Sequence, residues 1–281
     1  MQILVTGTSG QIGSVIAEML SSDHSVVGVD LTPAKHTTHV GNLSDRDFIF
    51  SIVKGINIVI HTASLHAPHI KEYPPEAFID TNVKGTQILL EASIRNRIQR
   101  FIYTSTTSLY GYAMVPSNKA VWVTESLRPK PRDIYDVTKI AAENMCRLMS
   151  ETHGLPCLSL RVSRFFPEQE DLMFIYRLYR GVDVRDAAAA HILSLEVDIR
   201  GYDVFNVSAR SPFSEDETPQ LLHDAPSIIR RHFPSVDEVI SRKGWKLPQR
   251  IDRVYVIEKA EKHLGYRPKY NFDTYLHELN R

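Results

Sequence analysis

Short runs rich in β-branched and aliphatic residues alternate along this chain with longer segments whose apolar positions recur every three or four residues. The first run, "QILVT", leads through a glycine-rich turn into "QIGSVIAEMLSS", where Ile12, Val15, Ile16, Met19 and Leu20 fall on one stripe. "SVVGVD" then reads as a strand ending at Asp30, "SDRDFIFSIVKG" as a helix capped by Ser44, and "INIVIHTA" as a strand. A helix opened by Pro75 runs to about Asn96, and "RFIYTS" is the next strand. "IYDVTKIAAENM" opens an amphipathic helix, and "CLSLRV" follows as a strand. Parallel strands need crossover connections, and these are right-handed. The repeated strand, helix, strand order therefore predicts an α/β fold, a doubly wound parallel sheet with helices on both faces.

Past Val162 the alternation loosens. "VDVRDAAAAHILSLEVD" predicts a helix, and "YDVFNVSA" a last strand near 202–207 that rejoins the main sheet. The remainder is broken by prolines in "ARSPFSEDETPQ", "HDAPS", "HFPS" and "KLPQ", and it holds short helices such as "RVYVIEKAEKHLG", ended by Gly265. Two units are expected: residues 1–163 carrying the sheet, and residues 164–281 as a small C-terminal cap not fully separable from it.

Composition adds exclusions. Lys plus Arg equal Asp plus Glu at 33 each in 281 residues, so no overall field draws the chain to nucleic acid or to an anionic membrane, and small-molecule partners are expected. No apolar run approaches the roughly eighteen residues of a membrane span. Met1 leads into "QILVTG" without a basic and then apolar leader, so a cytoplasmic protein is expected. Cys146 and Cys157 are too few for a disulfide framework and lack metal-site spacing, which suits a reducing compartment.

Candidate chemistry begins at "TGTSGQIG". Gly7, Gly10 and Gly13 recur at every third position, directly after the first strand and at the opening of the first helix. Backbone amides and a helix N-terminus can receive a pyrophosphate there, with Gly7 and Gly10 permitting close approach and Gly13 tight helix–sheet packing. Gln11 and Ile12 belong to the same cofactor-binding turn. Asp30 closes the second strand, at the spacing where a carboxylate accepts hydrogen bonds from an adenosine ribose. No Arg follows it to hold a 2′-phosphate, so NAD is expected rather than NADP.

With these residues, the segments "GNLSD", "HTAS", "NVKGT", "STTSLYG", "YDVTK", "LRVSRFF", "VDVRDAAAAH" and "AEKHLGYRPKY" give the chain a resemblance, over nearly its whole length, to the extended short-chain dehydrogenase/reductases of the NAD-dependent epimerase/dehydratase family. The resemblance implies a Rossmann fold, with NAD bound by residues 1–163 and substrate by the 164–281 cap. It implies that Asn42 and Leu43 border the adenine and that Thr62, Ala63 and Ser64 line the ribose and pyrophosphate. Asn82 would brace the strand holding the active-site hydroxyl. Thr106, Tyr135 and Lys139 become the catalytic set, with Asn82, Tyr135 and Lys139 also counted as cofactor contacts. Residues four apart on a helix share one face, so Lys139 stands one turn beyond Tyr135. A free phenol has a pKa of about 10, and a nearby ammonium and a positive nicotinamide ring both favour the phenolate. In the family such a Tyr takes the proton from a substrate hydroxyl as hydride leaves the same carbon, and the Lys holds the nicotinamide ribose. Thr106, five residues before the Gly of "STTSLYG", would hydrogen-bond the substrate oxygen. A homodimer through the helices that include the Tyr–Lys one is also implied.

Departures from the family pattern narrow the substrate. Family dehydratases follow the active Thr with an acidic pair; Thr107 and Ser108 stand here, which argues against dehydration. Family epimerases carry an Asn where Arg164 stands and then a long diphosphate-binding segment, whereas only about twenty residues precede the helix near Val184. The short connection with "PE" resembles that of uronate dehydrogenases, but their Arg is Met173 here, leaving carboxylate binding to Arg164, Arg177 or Arg180. Ser64, Thr107, Arg164 and Phe165 are the substrate-binding candidates. The leading expectation is an NAD-dependent dehydrogenase acting on a hydroxyl or carbonyl of a sugar-like molecule. The alternatives are a nucleotide-sugar 4-epimerase and a dinucleotide sensor without chemistry. His61, His66 and His69 lie close in sequence, yet they leave a buried strand for a loop near the expected pyrophosphate, and no metal is expected. "RPKPRD", residues 128–133, precedes Tyr135 and is a weak candidate for meeting an anionic substrate, although a proline-broken basic loop is more often a solvated one. Phe174, Tyr176 and Tyr179 read as packing between cap and core, with Phe165 and Phe166 near the site.

Overall fold

The alternating pattern folds as read in the computed structural model, which describes residues 1–279. In chain order the elements are β1 (Gln2–Thr6), α1 (Gln11–Leu20), β2 (Ser25–Asp30), β3 (His39–Val40), α2 (Arg46–Ile52), β4 (Ile58–His61), α3 (Pro75–Phe78), α4 (Gly85–Arg95), β5 (Arg100–Thr106), β6 (Val121–Val123), α5 (Ile134–His153) and β7 (Cys157–Val162). They continue with α6 (Glu170–Tyr176), α7 (Val184–Leu193), β8 (Tyr202–Val207), α8 (Thr218–His223), α9 (Ala225–His232), α10 (Val236–Lys243), β9 (Arg253–Tyr255), α11 (Glu258–His263) and α12 (Phe272–Leu279). Seven strands form one all-parallel sheet in the order β3-β2-β1-β4-β5-β7-β8. The connections run outward in opposite directions from β1 and β4, so a crevice opens between their carboxyl ends, where ligands of doubly wound sheets bind.

Central strands covered on both faces read as unbroken apolar runs, and β4, "IVIH", is buried at every position. Successive side chains serve opposite layers. Ile3 and Val5 of β1 join Ile12 and Ile16 of α1 and Ala187 and Ala190 of α7 on one face. Leu4 meets Ile49 of α2, Leu89 of α4 and Ala142 of α5 on the other. The segment after β7 therefore contributes α7 and β8 to the sheet's own layers. It also builds a separate cluster from Phe174, Ile228, Val239 and Phe272.

Several local expectations are corrected. Asp45, not Ser44, caps α2, its carboxylate accepting from the Phe48 amide at 3.1 Å; the Ser44 hydroxyl donates instead to the Asp80 carbonyl at 2.9 Å. The helix expected from Pro75 to Asn96 is divided by a π-helical stretch, Ile79–Lys84, and ends at Arg95. The segment from Val182 to Asp198 is helical only over Val184–Leu193. "RVYVIEKAEKHLG" splits: its β-branched and aromatic start is β9, which pairs in parallel with β6 as a two-stranded sheet, and only Glu258–His263 is helical. Gly265 follows that helix at φ +67°. Among the described residues no helix is long and apolar enough to cross a membrane.

Candidate functional site

The glycine turn is shaped by contacts that admit no Cβ. Gly7 sits at φ +81°, and a Cβ there would lie 2.5 Å from the Thr62 hydroxyl and 2.8 Å from the Ala63 amide nitrogen. At Gly13 a Cβ would lie 2.1 Å from the Gly7 carbonyl oxygen, so this glycine is what lets α1 start against the turn. Among the described residues no side chain caps α1, which leaves its first amides facing outward. The Ser9 amide donates to the Asp30 carboxylate at 2.9 Å, and the Leu31 amide donates to its other oxygen at 2.7 Å. Strand end and glycine turn are thus locked together.

A cleft of about 920 Å³ runs from this corner along the carboxyl ends of the strands. Gly7, Gly10, Gln11, Ile12 and Asp30 line one end, and Asn42 and Leu43 border it. Thr62, Ala63 and Ser64 line its middle. Thr106, Thr107, Tyr135 and Lys139 meet at the inner end, and Arg164 and Phe165 also line the cleft, where the Gln11 side-chain amide donates to the Phe165 carbonyl at 3.3 Å. Gly13 and Asn82 lie behind the wall. Asn82 corrects its expected role: its amide accepts from the Leu65 amide at 2.8 Å and donates to the Leu65 carbonyl at 2.8 Å and to Thr138 at 3.0 Å. It ties the loop after β4 to α5 rather than bracing β5.

Asp133 caps α5, accepting from the Asp136 amide at 2.9 Å, and so fixes the turn that carries Tyr135. Tyr135 and Lys139 are both buried, at 8% and 2% exposure. Burial pushes the Tyr135 phenol well up, Asp136 and Asp133 add to the rise, and the Thr106 hydroxyl opposes it. Burial likewise pulls the Lys139 ammonium down to about 7, against Glu143 and Cys146. Lys139 donates to the Thr104 carbonyl at 2.6 Å and lies 4.4 Å from the centre of the Tyr103 ring. The phenol is therefore raised in this setting, against the expectation of a lowered one, because its own burial outweighs the Thr106 hydrogen bond and Asp136 and Asp133 oppose the phenolate, while the Lys139 ammonium is directed at the Thr104 carbonyl.

The structure brings Arg253 to the cleft without any signal in the sequence and gives the other basic residues their places. Arg132 of the "RPKPRD" loop is no idle solvated charge: it lines the cleft, donating to the Ser108 hydroxyl at 2.8 Å and to Asp136. Arg180 and Arg253 also line it, Arg253 carried there by β9 and pairing with Asp252. Arg164 is paired with Glu168 on the rim. Arg177 is buried against Asp183 and does not line the cleft. His66 and His69 line it with their rings 4.1 Å apart, and His66 stacks on Phe166 at 5.2 Å. His61 is a core residue, its ring hydrogen-bonded to Thr6 and Thr86 at 2.8 and 2.9 Å.

The family model described as "NAD dependent epimerase/dehydratase family" matches residues 3–181. The chain is 30% identical to the low-salt glycan biosynthesis protein Agl12 of Haloferax volcanii, covering 97% of this chain and 95% of that protein. It is 30% identical to a UDP-glucose 4-epimerase of Streptomyces lividans over 56% of this chain and 50% of the relative. A solved structure of MoeE5 in complex with UDP-glucose and NAD superposes with a TM-score of 0.72 at 25% identity, covering 100% of this chain and 99% of that one. NAD, the cofactor of this family, fits the residues present: the uncapped first turn of α1 offers amides to a diphosphate, and Asp30 offers a carboxylate to a ribose.

Proposed function

Because the chain belongs to the NAD dependent epimerase/dehydratase family, we propose that it is an NAD-dependent oxidoreductase that interconverts a hydroxyl and a carbonyl of a sugar-like small molecule, with Tyr135 as acid/base. The single observation carrying this reading is the meeting of Thr106, Tyr135 and Lys139 at the inner end of a cleft whose other end is Asp30 and the glycine turn. NAD, when bound, accepts or returns a hydride. Tyr135 takes the hydroxyl proton in oxidation and gives it back in reduction. Thr106 orients the substrate oxygen, and Lys139 adds positive potential and holds the cofactor ribose. Ser64, Thr107 and Phe165 face the substrate. Arg132, Arg180 and Arg253 support an acidic substituent on it, with Arg164 at the rim. Burial holds the phenol up, so the rate of oxidation is expected to rise with pH in a pH–rate profile, since only the phenolate can accept the proton.

The residue pattern 1–163 and 164–281 is read as cofactor and substrate units of one cytoplasmic enzyme. The same reading makes it a homodimer through α5, where Val137 and Leu148 share a stripe at 48% and 51% exposure. A 4-epimerase is the second reading, favoured by the likeness to a UDP-glucose 4-epimerase.

The test is to supply NAD with a panel of uronic acids, aldoses and nucleotide sugars and follow NADH absorbance. Accumulating NADH is expected; product without NADH would favour epimerisation, and no turnover of any compound would leave the sensor reading. Tyr135→Phe is expected to abolish turnover while NAD still binds, and an undiminished rate would remove Tyr135 from its role.

A further inference from the structure

Three elements deliver the inner end of the cleft: α5 brings Tyr135 and Lys139, β5 brings Thr104 and Thr106, and β7 leads to Arg164 and Phe165. They meet behind it at one buried carboxylate. Glu143 lies one helical turn beyond Lys139 and is 4% exposed. Arg161 of β7 holds it bidentately, Nε to one oxygen at 3.0 Å and Nη2 to the other at 2.7 Å. The hydroxyl of Ser105, between Thr104 and Thr106, donates to it at 2.6 Å. Arg161 is fixed in turn, donating at 3.0 Å to the Tyr110 hydroxyl, which donates to Asn206 at 2.7 Å.

We infer that Glu143 is a positioning residue of this site: clamped by Arg161 and Ser105, it is the buried counter-charge that keeps Lys139 cationic and registers α5 against β5. The inference rests on the reading of Lys139 as a cofactor contact. The groups facing Lys139 from each packed element favour it. His61 of β4 is held neutral by burial, down to about 3, and burial also lowers His66 of the following loop. From β5 comes the Tyr103 ring, and from α5 come Tyr135 and Cys146, all three pushed up by burial and so uncharged at neutral pH. Glu143 is then the one charged member of the set. Its oxygens are committed to Arg161 and Ser105, and among the described residues it makes no ion pair with Lys139. It acts on the ammonium across a helical turn and leaves the Nζ protons for the Thr104 carbonyl and the cofactor.

The test measures NAD affinity by titration of the full chain across neutral pH. Wild-type affinity is expected to weaken as pH rises through the region where Lys139 loses its proton. Glu143→Gln, which keeps the size and hydrogen-bonding reach of the side chain, is expected to move that fall to lower pH by about one unit and to weaken binding several-fold at neutral pH. The paired change Glu143→Leu with Arg161→Met removes both ions and leaves neither buried alone, a swap that cores tolerate. It is expected to move the fall in the same sense by less, and it decides the matter if Glu143→Gln does not fold. An unmoved profile in a folded variant overturns the inference. Lys139→Met separates the two readings: if it leaves affinity and profile unchanged, the role of Lys139 fails; if it flattens the profile while Glu143→Gln does not move it, only the role of Glu143 fails.

Discussion

Gly13 illustrates how much of the site is decided by single atoms. Its Cβ would fall 2.1 Å from a backbone carbonyl oxygen that has no rotamer with which to escape. Gly13→Ala is expected to cost about 1–3 kcal/mol, the range of overpacking in a dense core, and to weaken NAD binding as α1 is levered off the turn. Urea unfolding and NAD titration check this, and unchanged values for both would mean that the turn can relax. Such residues were legible because the constraint is local: Gly7, Gly10, Gly13 and Asp30 belong to adjoining elements, so their spacing in the chain is their spacing at the cleft. Arg253 was not legible for the opposite reason. Nothing near it in sequence points to a cleft whose glycine turn and Tyr135 lie more than a hundred positions earlier, and its path there depends on a pairing too short to show as a pattern.

Elements follow the same division. The strands of the main sheet and α5 were readable because burial on two faces, or on one helical stripe, imposes a period several residues long. β6 and β9, three residues each, offer no period, and the π-helical stretch between α3 and α4 keeps apolar residues at helical spacing, so it is silent in the sequence. The exposed stripe of α5 carries the proposed subunit contact. Val137→Glu with Leu148→Glu is expected to yield a folded monomer in sedimentation, since two like charges per helix would face their symmetry mates. A dimer that persists would place the contact elsewhere, and a monomeric wild type would remove it.

At the scale of the whole molecule, pH acts through histidines sealed in the layers behind the cleft. Burial brings His61 down to about 3 and His191 down to about 4, while an unfolded His titrates near 6.5. Both native values are depressed, so stability is complete above about 6.5 and falls as pH drops toward the native values, by about 2 kcal/mol per histidine at pH 5. Urea midpoints measured from neutral pH down to 5 should fall steeply, and less steeply in His191→Gln; a flat profile would mean these rings are charged or hydrated in the fold. The pairing of β6 with β9 has a different reach. It carries Arg253 and Tyr255 from near the end of the chain into a cavity whose other walls come from the first two thirds, so a change in the tail reaches the cleft without touching the glycine turn or Asp30.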